Sequence, residues 1–182
     1  MNNRETLREL SIFGILLAIG VAGRWAQPDW NFTPLAAVTV LGGYYFRSLF
    51  AAILLPVGIL AVSDSILPAH ESVAVQISVY VMMLVPLFLG RLAQHSQGWQ
   101  RMGLGVLGGV LPATTFFIVT NFVHWASTSM YEKSLAGLTA CYVAAIPFYR
   151  AMLAGDVFYL VVLVACLMIA SARVPQKVPV GA

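Results

Sequence analysis

Apolar runs dominate this chain: residues 10–21, 49–62 and 157–170 contain no charged side chain at all. Over the 182 residues 60% are apolar and only 9% are Asp, Glu, Lys or Arg, too few to clothe a globular core in a solvated shell. The chain reads as an integral membrane protein, all-α, a polytopic helical bundle forming a single domain over residues 1–182. Six transmembrane helices are expected, over 10–23, 34–46, 49–66, 72–90, 102–125 and 147–172.

The few charges are sorted by position. With six spans both termini fall on one side, together with Arg4, Arg8, Arg47, Arg91, Arg101, Arg173 and Lys177, whereas the opposite side receives Arg24, Lys133 and Arg150. Lys and Arg in short loops favour the cytoplasmic face, so the N-terminus and C-terminus are expected to be cytoplasmic. Glu5 and Glu9 among the N-terminal arginines, with no small-residue cleavage site behind them, argue against a signal peptide. Residues 174–182 read as a frayed tail. The sequence pI near 9.1 follows from the basic loops, and no basic run points to nucleic acid.

Two segments are short for a bilayer, which takes about 20 apolar residues per helix. Residues 34–46 are expected as a short, tilted or buried helix, with Thr33 capping its N-terminus ahead of Pro34. Residues 134–146, followed by Pro147, are expected as a re-entrant or surface helix on the outer side. A seventh span there would move Arg173 and Lys177 outside.

Polar side chains inside spans are expensive and mark where function is to be sought. In the fifth span Phe117, Asn121, His124 and Trp125 recur every three or four residues and share one helical face, which suits a ligand with hydrogen-bonding edges and a flat or apolar body. The same outer layer carries Arg24, Trp25, Asp29, Trp30, Asn31 and Phe32, then Asp64, His70 and Glu71, then Tyr131, Glu132, Lys133, Tyr142, Phe148, Tyr149 and Arg150. Asp156 lies nine residues into the last expected span, roughly 14 Å at the helical rise, and requires either a polar partner or a cavity. The candidate ligand-binding set is Asn31, Asp64, Phe117, Asn121, His124, Trp125, Tyr131, Tyr142, Phe148, Arg150 and Asp156. On the first helix Gly14, Ala18 and Ala22 form a smooth stripe on which another helix can pack.

No GxxxxGK[ST] loop, HExxH or CxxC occurs, and the three histidines are scattered singly. No metal or cofactor is expected, and no disulfide between Cys141 and Cys166. The chain is expected not to be an enzyme. An intramembrane aspartyl pair of Asp64 and Asp156 is the minor alternative, but Leu153-Ala154-Gly155-Asp156 lacks the first glycine of the GxGD pattern.

Six short-looped helices, the small-residue stripe, the outer polar layer and the segment Tyr142-Val143-Ala144-Ala145-Ile146-Pro147-Phe148 resemble the substrate-binding S components of energy-coupling factor vitamin transporters. Where many members then carry Asn and an apolar residue, this chain has Tyr149 and Arg150. Asn31-Phe32-Thr33-Pro34, Gly42-Gly43-Tyr44-Tyr45-Phe46 and the blocks 116–125 and 131–159 are similar to a bacterial S-component-like membrane family. The resemblance implies a protein of the bacterial cytoplasmic membrane that captures a vitamin-like small molecule from outside. It further implies that Gly14, Ala18 and Ala22 dock a transmembrane coupling subunit working with two ATPases. A non-catalytic membrane scaffold of a cell-envelope complex is the alternative.

Overall fold

Residues 3–172 are described by a computed structural model. Seven helical segments account for them: α1 (Asn3–Trp25), α2 (Leu35–Tyr45), α3 (Leu49–Asp64), α4 (Val73–Met82), α5 (Leu84–Gln94), α6 (Gly98–Ser127) and α7 (Leu135–Ala172). Four stretches, 5–25, 73–94, 98–127 and 135–169, are long and apolar enough to cross a membrane. Arg173, Lys177 and the expected tail at 174–182 lie outside the described residues.

The helix starts follow local chemistry. Ser48 accepts a hydrogen bond from the Ala51 N–H and Ser72 from the Val75 N–H, so serine hydroxyls satisfy free donors at the heads of α3 and α4. Ser134 does the same for Gly137 at the head of α7. Thr33 does not cap α2. The N-cap position falls on Pro34, with no side-chain cap, because Asn31 turns the chain through a left-handed conformation (φ 65°) just before it. One residue, Met83, separates α4 from α5. Pro86 lacks the N–H that would bond the Met82 carbonyl, and the ladder is interrupted there.

The expected break at Pro147 is absent. Residues 134–146 form no separate re-entrant helix: α7 runs without interruption for 38 residues with Pro147 inside it, about 57 Å at 1.5 Å per residue. A proline removes one donor from a ladder, and a long apolar helix flanked by neighbours tolerates that loss. Asp156 is therefore roughly 32 Å from the first residue of its helix, not 14 Å.

The short helix α2 is the centre of the bundle. Every residue from Leu35 to Gly43 is buried, and α1, α3, α5, α6 and α7 all pack on it. Its closest neighbour is α5, through two glycines. A methyl group on Gly43 would lie 2.1 Å from the Leu87 carbonyl oxygen, and one on Gly90 would lie 1.9 Å from the Val40 carbonyl oxygen. The two backbones touch because neither residue has a side chain. Leu55, Ile59, Leu60 and Leu87 complete the core beside Val38 and Phe46, all of them fully enclosed.

The periphery is apolar. Leu10 and Ile15 of α1, Val106 and Ile118 of α6, and Phe158, Val161 and Met168 of α7 stand more than half exposed, an exterior matched to hydrocarbon rather than water. Polar contacts sit at the two ends. At one, Arg91 donates to the carbonyls of Phe46 and Arg47, Arg101 lies 5.8 Å from the centre of the Tyr44 ring, and Arg47 reaches Glu5. At the other, Arg24 meets Asp64 and Ser72 meets Ser127.

Candidate functional site

The connection between α1 and α2 crosses the second of these ends and roofs it. Gln27 accepts from the Asn31 N–H at 3.1 Å, and the left-handed turn at Asn31 lays Phe32 and Thr33 across α7. Gly155 makes this approach available, since a methyl group there would stand 3.1 Å from the Thr33 nitrogen and 3.2 Å from Phe32 Cα. The Phe32 ring then packs on Phe158 and Tyr159, with centroids 5.8 and 5.4 Å away. Gly155, adjacent to Asp156, thus has a packing role.

Beneath the roof lie three neighbouring cavities, each lined in part by α6 and α7. The first, about 190 Å³, is bounded by Arg24, Trp30, Asn31, His70, Phe116 and Met152, with Asp156 among its walls. A second, of about 150 Å³, shares Asn31, Phe116 and Met152 with it and adds Phe117, Thr120, Asn121 and Tyr149. The third, about 240 Å³, shares Asn121, Ala145 and Phe148 with the second and adds Glu71, His124, Tyr131 and Cys141. The spacing explains the alignment. Cys141, Ala145, Phe148, Met152 and Asp156 recur every three or four residues on α7, as do Pro112, Phe116, Thr120 and His124 on α6, so each helix offers one continuous stripe.

Charge at the site is held in two groups. The Arg24 guanidinium donates to Asp64 Oδ1 at 2.7 Å and also to the Ser63 hydroxyl. Tyr80 donates its hydroxyl to Asp64 Oδ2 at 3.3 Å, and His70 Nε2 lies 3.5 Å from the same oxygen without forming a hydrogen bond. Further along, His124 Nδ1 is 3.1 Å from Glu71 Oε2, with the Tyr131 ring 6.0 Å from the imidazole. Asp156 is only 3% exposed, and its Oδ2 has no hydrogen-bond partner.

Of the residues expected from the sequence, Asn31, Phe117, Asn121, His124, Tyr131, Phe148 and Asp156 border the cavities. Four others do not. Asp64 stands behind Arg24 as its counter-ion. Trp125 donates its indole N–H to the Glu132 carbonyl at 2.8 Å and lies under Lys133, so it pins the turn between α6 and α7. Tyr142 donates to the Ile118 carbonyl at 2.6 Å and stacks edgewise on Phe117, joining α7 to α6. Arg150 faces away, beside Leu153, Val157 and Val161 on an open apolar groove, because six residues separate it from Asp156 and turn it through roughly 240°.

Arg24, Trp30 and His70 belong to the expected outer layer but not to the expected ligand-binding set, and Gln27, Phe116 and Met152 belong to neither. Register offers a signal for Met152 and Phe116, one turn from Asp156 and from Thr120 respectively. No local signal joins Arg24 to Asp64, which are 40 residues apart.

Among the described residues, an all-helical bundle with four helices fit to cross a membrane, and a cavity with a buried carboxyl in its wall, is the class these observations define. Residues 4–177 match a family of unknown function, DUF6580, and the chain belongs to that family. No curated protein and no solved structure matches the chain.

Proposed function

We propose that this chain is a membrane-embedded capture protein of the S-component type, which takes up a vitamin-like small molecule through the end of the bundle roofed by the α1–α2 connection. The observation that carries the reading is the set of three neighbouring cavities that share lining residues, one of them bordered by a buried carboxyl whose Oδ2 has no hydrogen-bond partner. Buried polar atoms are ordinarily bonded, so an unbonded carboxyl oxygen on a residue that lines a cavity supports ligand binding over a scaffold role. The cavity bordered by Asp156, at about 190 Å³, lies below the range of roughly 300–1,000 Å³ common for drug-sized ligands. A pterin-sized ring therefore suits it better than a corrinoid.

In this reading α1, α2, α3, the α4–α5 pair, α6 and α7 are the six spans of a bacterial cytoplasmic-membrane protein. The end bearing Arg47, Arg91 and Arg101 faces the cytoplasm, and α6 and α7 outrun the hydrocarbon. Gly14, Ala18 and Ala22 support a coupling partner, since Ala18 and Ala22 are exposed and a methyl group on Gly14 meets no atom within 4 Å. Ala18→Trp is expected to abolish coupled uptake while leaving ligand binding intact; unchanged uptake removes the coupling subunit from the proposal. The Arg24 contact on Asp64 weighs against a proton-sharing pair with Asp156, the basis of the hydrolase alternative.

Native mass spectrometry of protein purified gently from its host tests the central claim. A stoichiometric small-molecule adduct, reduced in Asn121→Ala and His124→Ala, is the expected result. Adducts of lipid or protein alone would overturn it in favour of the scaffold.

A further inference from the structure

Among the described residues two buried side-chain atoms lack a hydrogen bond, Asp156 Oδ2 and His70 Nε2, and both residues line the same cavity. The coincidence is informative because such atoms cost free energy wherever they occur. The protein does not answer Asp156 with its own cations. Arg24, which borders the same cavity, spends hydrogen bonds on Asp64 and Ser63, and the His70 imidazole is oriented toward Asp64 at 3.5 Å. The cavity wall also holds apolar side chains, among them Leu60, Val79, Phe116 and Met152, and polar residues of the roof, Gln27, Asn31 and Thr33. A buried carboxyl in the wall of a cavity of mixed lining suits a molecule with a hydrophobic body and a donor edge.

We infer that Asp156 is the primary recognition group for a small, flat ring compound that presents an amino-amidine edge, the N–H pattern of amino-substituted nitrogen heterocycles. That edge donates to the carboxyl, while the ring lies between Phe116 and Met152 and its far side reaches His70. The inference rests on the capture reading and specifies which end of the ligand enters first.

The test uses the full chain in detergent micelles, with 2,4-diaminopyrimidine as the probe and pyrimidine as the donor-free comparator, read by calorimetry and thermal shift. Diaminopyrimidine is expected to bind about ten-fold more tightly than pyrimidine, a ratio within the reach of one hydrogen bond. Asp156→Asn is expected to erase the preference. Equal binding of the two probes to the unaltered protein overturns the inference even if the variant fails to fold, as does a preference that survives Asp156→Asn. An adduct from the host that carries no N–H donor edge overturns the inference and leaves the capture reading standing. Absence of both a host adduct and probe binding overturns the two together.

Discussion

The Arg24 guanidinium of α1 and the Asp64 carboxylate of α3 stand 2.7 Å apart with only 14% and 16% of their side chains exposed. This pair ties together the two helices that frame the roof of the cavity. Asp64→Ala strands a largely buried cation, and a loss of about 1–3 kcal/mol is expected. Arg24→Met combined with Asp64→Leu should be less damaging than the sum of the single changes, since neither charge is then left alone. Thermal unfolding of the four proteins in one detergent checks this, and strict additivity would refute the coupling.

Glycine substitutions should divide sharply by location. Gly43→Ala forces a methyl group against the Leu87 carbonyl and is expected to cost about 1–3 kcal/mol or more, because a backbone must move to admit it. Gly14→Ala meets open space and should be neutral or raise stability by up to about 1 kcal/mol through helix propensity. Melting temperatures of the two variants, measured side by side, decide the matter.

Position on α7 separates binding residues from bystanders. Met152→Trp fills the wall shared by two cavities and should empty the site of any co-purifying ligand. Arg150→Ala, on the outward groove, should leave ligand occupancy unchanged. Adduct intensity in native mass spectra reports both, and a loss on Arg150→Ala would move the site to the other face of the helix.

Orientation is accessible by thiol labelling in a background where Cys141 and Cys166 are replaced by Ala. Lys133→Cys is expected to react with a membrane-impermeant maleimide in intact spheroplasts. Arg101→Cys should react only after permeabilisation. The reverse pattern would place the cavity on the cytoplasmic side.

Much of the helical layout was legible because apolar runs in so uncharged a chain have few alternatives to helix. The seam between α6 and α7 is half legible: Phe117, Asn121 and His124 follow from the helical period alone, and Phe148 falls in the expected outer layer. What the sequence obscured has physical causes. Pro147 looked like a helix start because proline is an ordinary first residue, yet a packed apolar helix carries it in its interior. Thr33 looked like a cap, but the left-handed turn at Asn31 displaced the cap position by one residue. Arg150 was grouped with the site by its charge and aromatic neighbours, whereas helical rotation turns it outward. The Arg24–Asp64 pair depends on the tertiary contact between α1 and α3, which no local pattern encodes.

The meeting of α2 and α5 at Gly43 and Gly90 also constrains how the protein can change. In most crowded cores an enlarged side chain is rescued by trimming the one opposite. Here the opposing surfaces are peptide carbonyls, and there is no side chain left to trim. A suppressor of Gly43→Ala must instead arise where the helices are held apart or together elsewhere, so rescue of this contact is a property of the whole bundle and not of a neighbouring position.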